Sequence, residues 1–202
     1  LARSGLLSRK MSGPPVMPFQ PDDIWRTVGR NGPKWNAAMD EDRFRRGVYV
    51  IWRRAAPYPS FVNFDAPDRA ACVIERPRSN TPLQALTLLN DQAFVEMAVA
   101  LASTSISYSR GAGDLRSQLT YAMRRCVARV PESGEIDVLQ TLYEAELSRF
   151  ASEPSAVDAF LKTNNVEAET GVGLLTVVER SHLAALSVVC NVLLNLDETI
   201  NY

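Results

Sequence analysis

Histidine is almost missing from this 202-residue chain, which holds only His182. A single imidazole makes no zinc site without cysteine or carboxylate help, and the residues around His182 offer none. It reads as a helix-face residue rather than a ligand. Cysteine is as sparse. Cys72, Cys126 and Cys190 are far apart and odd in number. No C-x-x-C pair for zinc and no C-x-x-C-H for haem attachment is present, so free thiols are expected and at most one disulfide. The sequence also lacks G-x-S-x-G, Walker, G-x-G-x-x-G and H-E-x-x-H motifs, which argues against several common enzyme classes. Long apolar runs are missing too. The longest candidate, Leu183 to Leu196, is interrupted by Ser187, Asn191 and Asn195, so no membrane span is expected. An excess of one charge is lacking as well. With 22 basic and 23 acidic residues the net charge is −1, which gives no general pull towards nucleic acid or anionic lipid. The chain opens Leu1-Ala2-Arg3-Ser4-Gly5 without a methionine or a targeting peptide, as expected of a domain within a longer protein.

What is present is ordinary for a globular domain: 46% hydrophobic and 22% charged residues, in a chain long enough to bury a core. The charge is divided, however. Residues 1–80 carry 14 basic and 8 acidic residues, a net of +6, and residues 81–202 carry 8 and 15, a net of −7. One reading docks a basic N-terminal half on an acidic helical half; the other turns the basic half towards a polyanion.

Proline and glycine at Gly13-Pro14-Pro15, Pro18, Pro21, Gly29, Gly32 and Pro33 make residues 1–42 an irregular wrap, pinned by Phe19, Trp25 and Trp35. A short helix can start at Asp22-Asp23-Ile24-Trp25. The apolar run Val48 to Trp52 suits either a short strand near 48–52 or one buried helical turn. From residue 81 the pattern is helical. Thr81-Pro82-Leu83-Gln84 has the composition of a capping box with proline at the first helical position. Leu83, Leu86, Asn90, Phe94, Met97 and Leu101 then share one face of a helix reaching about residue 104. Helices follow after Asp114, from about Ser133 and near Pro154. The last, over about 174–198, is apolar nearly all round and so central. The fold class expected is mainly α: a loop-rich segment 1–80 packed on a bundle of about five helices over 81–202, together one domain.

Eight arginines lie between residues 43 and 78, interleaved with six aromatic residues. Guanidinium groups beside aromatic faces bind phosphate, sulfate or carboxylate, but arginines also staple loop carbonyls and pair with acids. Phe64-Asp65-Ala66-Pro67-Asp68-Arg69 sets two carboxylates three residues apart. They can serve as an acid–base pair, or form a turn in which Asp65 caps its own backbone and Asp68 meets Arg69 or Arg76. Arg54, Asp65, Asp68, Arg69, Arg78 and Asn80 are therefore the candidate ligand-binding residues, with no catalytic residue and no metal ligand assigned. Asp197 and Glu198 fall where the last helix is expected to end, a place unfavourable for negative charge. With Asn191 and Asn195 before them, Asn191, Asn195 and Asp197 form a candidate clamp on the arginine loop.

The same residues carry a family resemblance. The runs Ser4-Gly5-Leu6-Leu7, Gly13-Pro14-Pro15, Arg45-Arg46-Gly47-x-Tyr49-x-x-Trp52-x-Arg54, Phe64 to Cys72, Asn80 to Asp91 and Asn191 to Glu198 resemble the planctomycete surface-protein domain of unknown function. Residues 105–175 resemble it only in helical pattern. The resemblance implies an extracytoplasmic setting, in the cell envelope or secreted. It also implies partner domains N-terminal in the same polypeptide, one of them a cytochrome c-like haem module, with no cofactor in this domain. It supplies no reaction. Two functions remain: a non-catalytic structural or interaction domain, or a binding or catalytic module for an anionic or carbohydrate ligand at segment 43–80.

Overall fold

Thr81 and Pro82 begin a helix as their chemistry dictates. In the computed structural model Gln84 N donates to Thr81 Oγ1 at 3.2 Å, and Thr81 N donates to Gln84 Oε1 at 3.0 Å. The two side chains thus satisfy two of the amides that a helix start leaves unpaired. Thr81→Ala removes one of these bonds and is expected to lower stability by about 1 kcal/mol, measured as a drop in the midpoint of thermal unfolding.

The structure describes residues 1–21, 24, 34–109, 114–163 and 176–200. Among them are eight α-helices and no strand: α1 (Pro59–Asn63), α2 (Pro82–Asn90), α3 (Gln92–Tyr108), α4 (Leu115–Val127), α5 (Ser133–Ser152), α6 (Pro154–Thr163), α7 (Val177–Leu194) and α8 (Asp197–Ile200). The fold class is mainly α, as expected. The chain divides into two compact units, Leu7–Thr87 and Leu1–Leu6 with Leu88–Tyr202. The division falls inside α2.

The larger unit is a bundle of α3, α4, α5, α6 and α7. Helix α7 packs on the other four, most extensively on α3 and α5. Leu183, Ala184, Ala185, Leu186, Val189, Cys190 and Leu193 are buried, as a helix apolar on most faces requires. Leu194, at the end of the helix, is half-buried. Buried Ser187 and Ser105 donate to the carbonyls four residues before them, at 2.7 Å each, so these hydroxyls need no partner across the helix interface. By composition α7 could cross a membrane, with mean hydropathy 1.4 over 18 residues, but here its apolar faces make the bundle core.

The helix expected from 81 to about 104 is two helices, bent by 56°. Asp91 makes the break: its side chain accepts from Ala93 N at 2.9 Å and caps α3. Aspartate favours that capping geometry over a helix interior. The break also shifts the helical phase. Val95, Ala98, Val99, Leu101 and Ala102 are buried, while Leu83 and Leu86, expected on the same apolar face, stand in solvent.

In the smaller unit Val48 to Trp52 is neither a strand nor a buried helical turn, and Val48 is 72% exposed. Gly47–Tyr49 is a 3-10 turn, and Val50 makes an isolated parallel bridge with Val16. A Cβ on Gly47 would lie 3.1 Å from the Phe61 ring, so glycine permits that approach. Val16, Val50 and Tyr58 form a small core with Trp35 and Phe61 packed on it. Trp35 thus pins the wrap; Phe19 is 39% exposed. Trp25 and most of the helix expected at Asp22–Trp25 lie outside the described residues.

Candidate functional site

Segment 43–80 is built on an aromatic stack. Trp35 lies on Tyr58 (centroids 6.0 Å apart), Tyr58 meets Phe61 edge-on (5.4 Å), and Phe61 stacks on Trp52 (5.5 Å). The Arg69 guanidinium sits 4.6 Å above the Trp52 ring. Arg69 holds a left-handed backbone with φ of 62°, which brings the following chain round sharply at a cost a non-glycine residue normally avoids.

The two aspartates bond differently from the turn expected of them. Asp68 makes the local turn, accepting from Ala70 N at 2.9 Å. Asp65, with φ of 57°, reaches fourteen residues along the chain and accepts from Ser79 N at 2.8 Å and Ser79 Oγ at 2.7 and 2.9 Å. Gln84 Nε2 completes the knot, donating to Ser79 Oγ at 2.9 Å and Asn63 O at 2.8 Å, with Asp65 Oδ2 at 3.4 Å. The side-chain hydrogen bond from Ser79, then its backbone N–H, hold the Asp65 carboxyl below its ordinary range. A carboxylate so engaged is poorly placed to take a proton from a substrate. It ties the loop to the start of α2.

Arg54, Asp68, Arg69, Arg78 and Asn80 are exposed, and Asp65 is half-exposed. The structure thus places Asp65 at the knot, Arg69 on Trp52 and Asp68 in a turn, with Arg54, Arg78 and Asn80 in solvent. Arg45, not among the candidates, is 2% exposed. It donates to the carbonyls of Ser12, Pro14 and Lys10 and lies 3.8 Å above the Tyr49 ring. The arrangement is the carbonyl staple that loops require, at one particular arginine.

Asn191 and Glu198 make contacts within the larger unit. Helix α7 ends at Leu194 with Asn195 as its cap, and Asp197 opens α8. Asp197 and Glu198 therefore lie in a first helical turn, where negative charge is favourable rather than unfavourable. Glu198 joins an arginine. Arg129 donates to both its oxygens at 2.8 and 2.9 Å and to those of Glu135 at 2.6 and 2.8 Å. These bonds hold Glu135 down at about 2, Arg129 first and the Glu132 N–H next. Asn191 does clamp, but on the helix break: its Nδ2 donates at 3.0 Å to Leu89 O. That carbonyl lost its helical partner, Ala93 N, to Asp91.

His182 is spent in packing. Its Nδ1 lies 2.6 Å from Tyr143 Oη, the rings edge-on at 5.5 Å. Burial lowers its pKa. The unfolded chain, with histidine near 6.5, therefore binds this proton first. The contribution is complete above about pH 6.5 and is lost as pH falls below it, at a limiting slope of about 1.4 kcal/mol per pH unit for one full proton. Partial exposure makes the real slope smaller. His182→Phe is expected to flatten the fall of the melting midpoint between about pH 7 and 5 relative to the wild type.

Cys72 is exposed, Cys126 and Cys190 are buried, and all three are free. Burial pushes the Cys126 thiol up to about 11, far from a reactive thiolate. Among the described residues no group of three or more histidine, cysteine or acidic side chains is disposed to hold a metal.

The bundle carries a feature that the sequence pattern did not single out. A cleft of about 540 Å³ lies along α4, with Tyr108, Arg116, Thr120, Tyr121, Arg124 and Arg125 in its lining. The signal in the sequence was the spacing. Arg116, Thr120 and Arg124 recur every four residues, and so do Ser117, Tyr121 and Arg125, giving two adjacent rows on one helix face.

No similar protein was found among curated proteins and none among solved structures. The family described as PSD1, protein of unknown function (DUF1553), matches residues 1–143. That span holds the arginine segment, the Asp65 knot, the broken α2–α3 pair and the cleft along α4, while Asn191–Glu198 lies beyond it. On this match, which takes in more than half its length, the chain belongs to the PSD1 (DUF1553) family, whose function is unknown.

Proposed function

We propose that the chain is a non-catalytic structural and interaction domain of a larger, extracytoplasmic protein, and that it packs against domains N-terminal to it in the same polypeptide. One observation carries the reading. Residues 67–80 are exposed throughout, yet the loop is fixed at its end by the Asp65–Ser79–Gln84 knot. Such anchoring presents Val73 and Ile74 to solvent, and Leu83 and Leu86 stand exposed on the helix that follows. Apolar side chains held out by a fixed scaffold are a contact surface. The family resemblance of the motifs supports the envelope setting, the planctomycete origin and the haem-bearing neighbour. Hydrogen exchange tests the reading: residues 67–87 should exchange more slowly in the protein as its gene encodes it than in the 202-residue chain. Equal rates in the two would sink it, whereas loss of the added protection in Ile74→Asp and Leu86→Asp would support it. The Arg69–Trp52 stack, with Arg54 and Arg78 exposed beside it in sequence, favours a second reading: an anionic or carbohydrate ligand on segment 43–80.

A further inference from the structure

We propose that the cleft along α4 is a binding site for an acidic carbohydrate, a pyranose ring carrying a carboxylate or sulfate group. Tyr108, at the end of α3, and Tyr121 of α4 lie ring over ring, their centroids 4.3 Å apart and their planes 25° apart. Tyr108 is 71% exposed. A tyrosine so open adds little to the core, and its stacking on Tyr121 fixes its orientation, making a rigid platform with one free face. The C–H face of a sugar ring lies well on such a platform.

The charge beside the platform runs against the rest of the sequence around it. Residues 81–202 hold 8 basic and 15 acidic side chains, yet Arg116, Arg124 and Arg125 meet at this one cleft. Arg116 is neutralised by Asp137 at 2.7 Å and also reaches Gln140 at 3.3 Å. Arg125 is fixed by the backbone carbonyls of Arg3, at 3.0 and 3.2 Å, and Ala2, at 3.5 Å. Carbonyls orient a guanidinium but leave its charge in place. The Arg124 side chain is exposed and has no hydrogen bond or ion pair among the described residues. The cleft therefore presents two uncompensated positive charges, one of them pre-positioned. The C-terminus of α4 favours cations, which accounts for Arg124 and Arg125 but not for Arg116 or for Tyr108 exposed beside them.

The remaining lining identifies the ligand more closely. Ser117 and Thr120 add hydroxyls to those of the two tyrosines, a set suited to the vicinal hydroxyls of a sugar. Among the described residues the lining offers guanidinium, hydroxyl and phenol groups and no carboxylate, histidine or thiol, a set suited to holding a sugar. A guanidinium accepts the planar carboxylate of a uronic acid or a sulfate ester equally well. The shared chemistry is an anionic pyranose.

Calorimetric titration of the chain with a hexagalacturonate, a sulfated hexasaccharide and a neutral maltohexaose tests the assignment and separates the two anions. At least one acidic oligosaccharide is expected to bind in the micromolar to millimolar range and to weaken as salt rises. Tyr108→Ala and Arg124→Gln, both at exposed positions, should each weaken that binding by about tenfold while leaving the melting midpoint in place. The maltohexaose should bind at least as weakly as the variants. Failure of both acidic probes to bind, equal affinity for the neutral one, or binding that both variants leave unchanged would each overturn the site. Tighter binding of adenosine monophosphate than of either acidic sugar would overturn the ligand class.

Discussion

Leu186→Ala is expected to cost the helical bundle about 2–5 kcal/mol. Leu186 is fully buried on α7, the helix on which α3, α4, α5 and α6 all pack. Its neighbours there, Ala185, Val189 and Cys190, are equally inaccessible. Short or stiff side chains cannot swing into the space an absent isobutyl group leaves, so the cavity stays open and adds to the lost transfer energy. A domain has about 5–15 kcal/mol of stability in all, so this change alone consumes a large part of it. Cutting the chain at residue 180 goes further, removing most of α7 and with it several large side chains worth about 1.5–3 kcal/mol each. What remains should be insoluble or molten. Far-ultraviolet circular dichroism reports the loss, because most of the helix lies in the bundle. A cooperative melt in the truncated chain would show that the core lies elsewhere.

Features set by a few neighbouring residues were readable in the sequence, and those set by distant partners were not. The Thr81–Gln84 capping box and the central place of α7 follow from local chemistry and from apolar composition on every face. The break at Asp91 was hidden because the helical spacing of Leu83, Leu86, Phe94, Met97 and Leu101 continues through it. One aspartate bonding Ala93 N outweighs that spacing, and Leu83 and Leu86 are left in solvent as a result. Asp65 illustrates the second kind. Its nearest charged neighbours in sequence suggested a local turn or an acid–base pair, but its partner Ser79 is fourteen residues away and no periodicity joins them. The acidic pair at the C-terminus falls in a short helix that the sequence pattern did not separate from α7. Once α8 restarts the helix, Asp197 and Glu198 lie at an N-terminus, and Glu198 meets an arginine from the α4–α5 connection. The tyrosine platform needed both kinds of information: the rows on α4 are local, but Tyr108 reaches them from another helix.

Arg45→Met should destabilise the smaller unit by about 2–4 kcal/mol, more than any other single change in segment 43–80. The side chain is 2% exposed, and its guanidinium collects the carbonyls of Ser12, Pro14 and Lys10 while stacking on Tyr49. Each hydrogen bond to a charged donor is worth about 1.5–3 kcal/mol when its loss leaves a buried acceptor unpaired. Part of that returns as water reaches the carbonyls, since the Ser12 and Pro14 residues are exposed. The desolvation cost of the buried cation disappears in the variant as well, so the sum falls well short of three full bonds. Methionine keeps the length and the apolar contact with Tyr49, which isolates the lost hydrogen bonds from lost packing. The readout is specific. All three tryptophans, Trp25, Trp35 and Trp52, lie between Leu7 and Thr87, so tryptophan fluorescence follows this unit while circular dichroism follows mainly the bundle. Arg45→Met should lower the fluorescence midpoint, and Arg45→Lys should recover little of it, because one ammonium cannot span three carbonyls as a planar fork does. An unchanged fluorescence midpoint in Arg45→Met would mean that the wrap is held by Trp35, Val16 and Tyr58 alone, with the arginine free for a ligand.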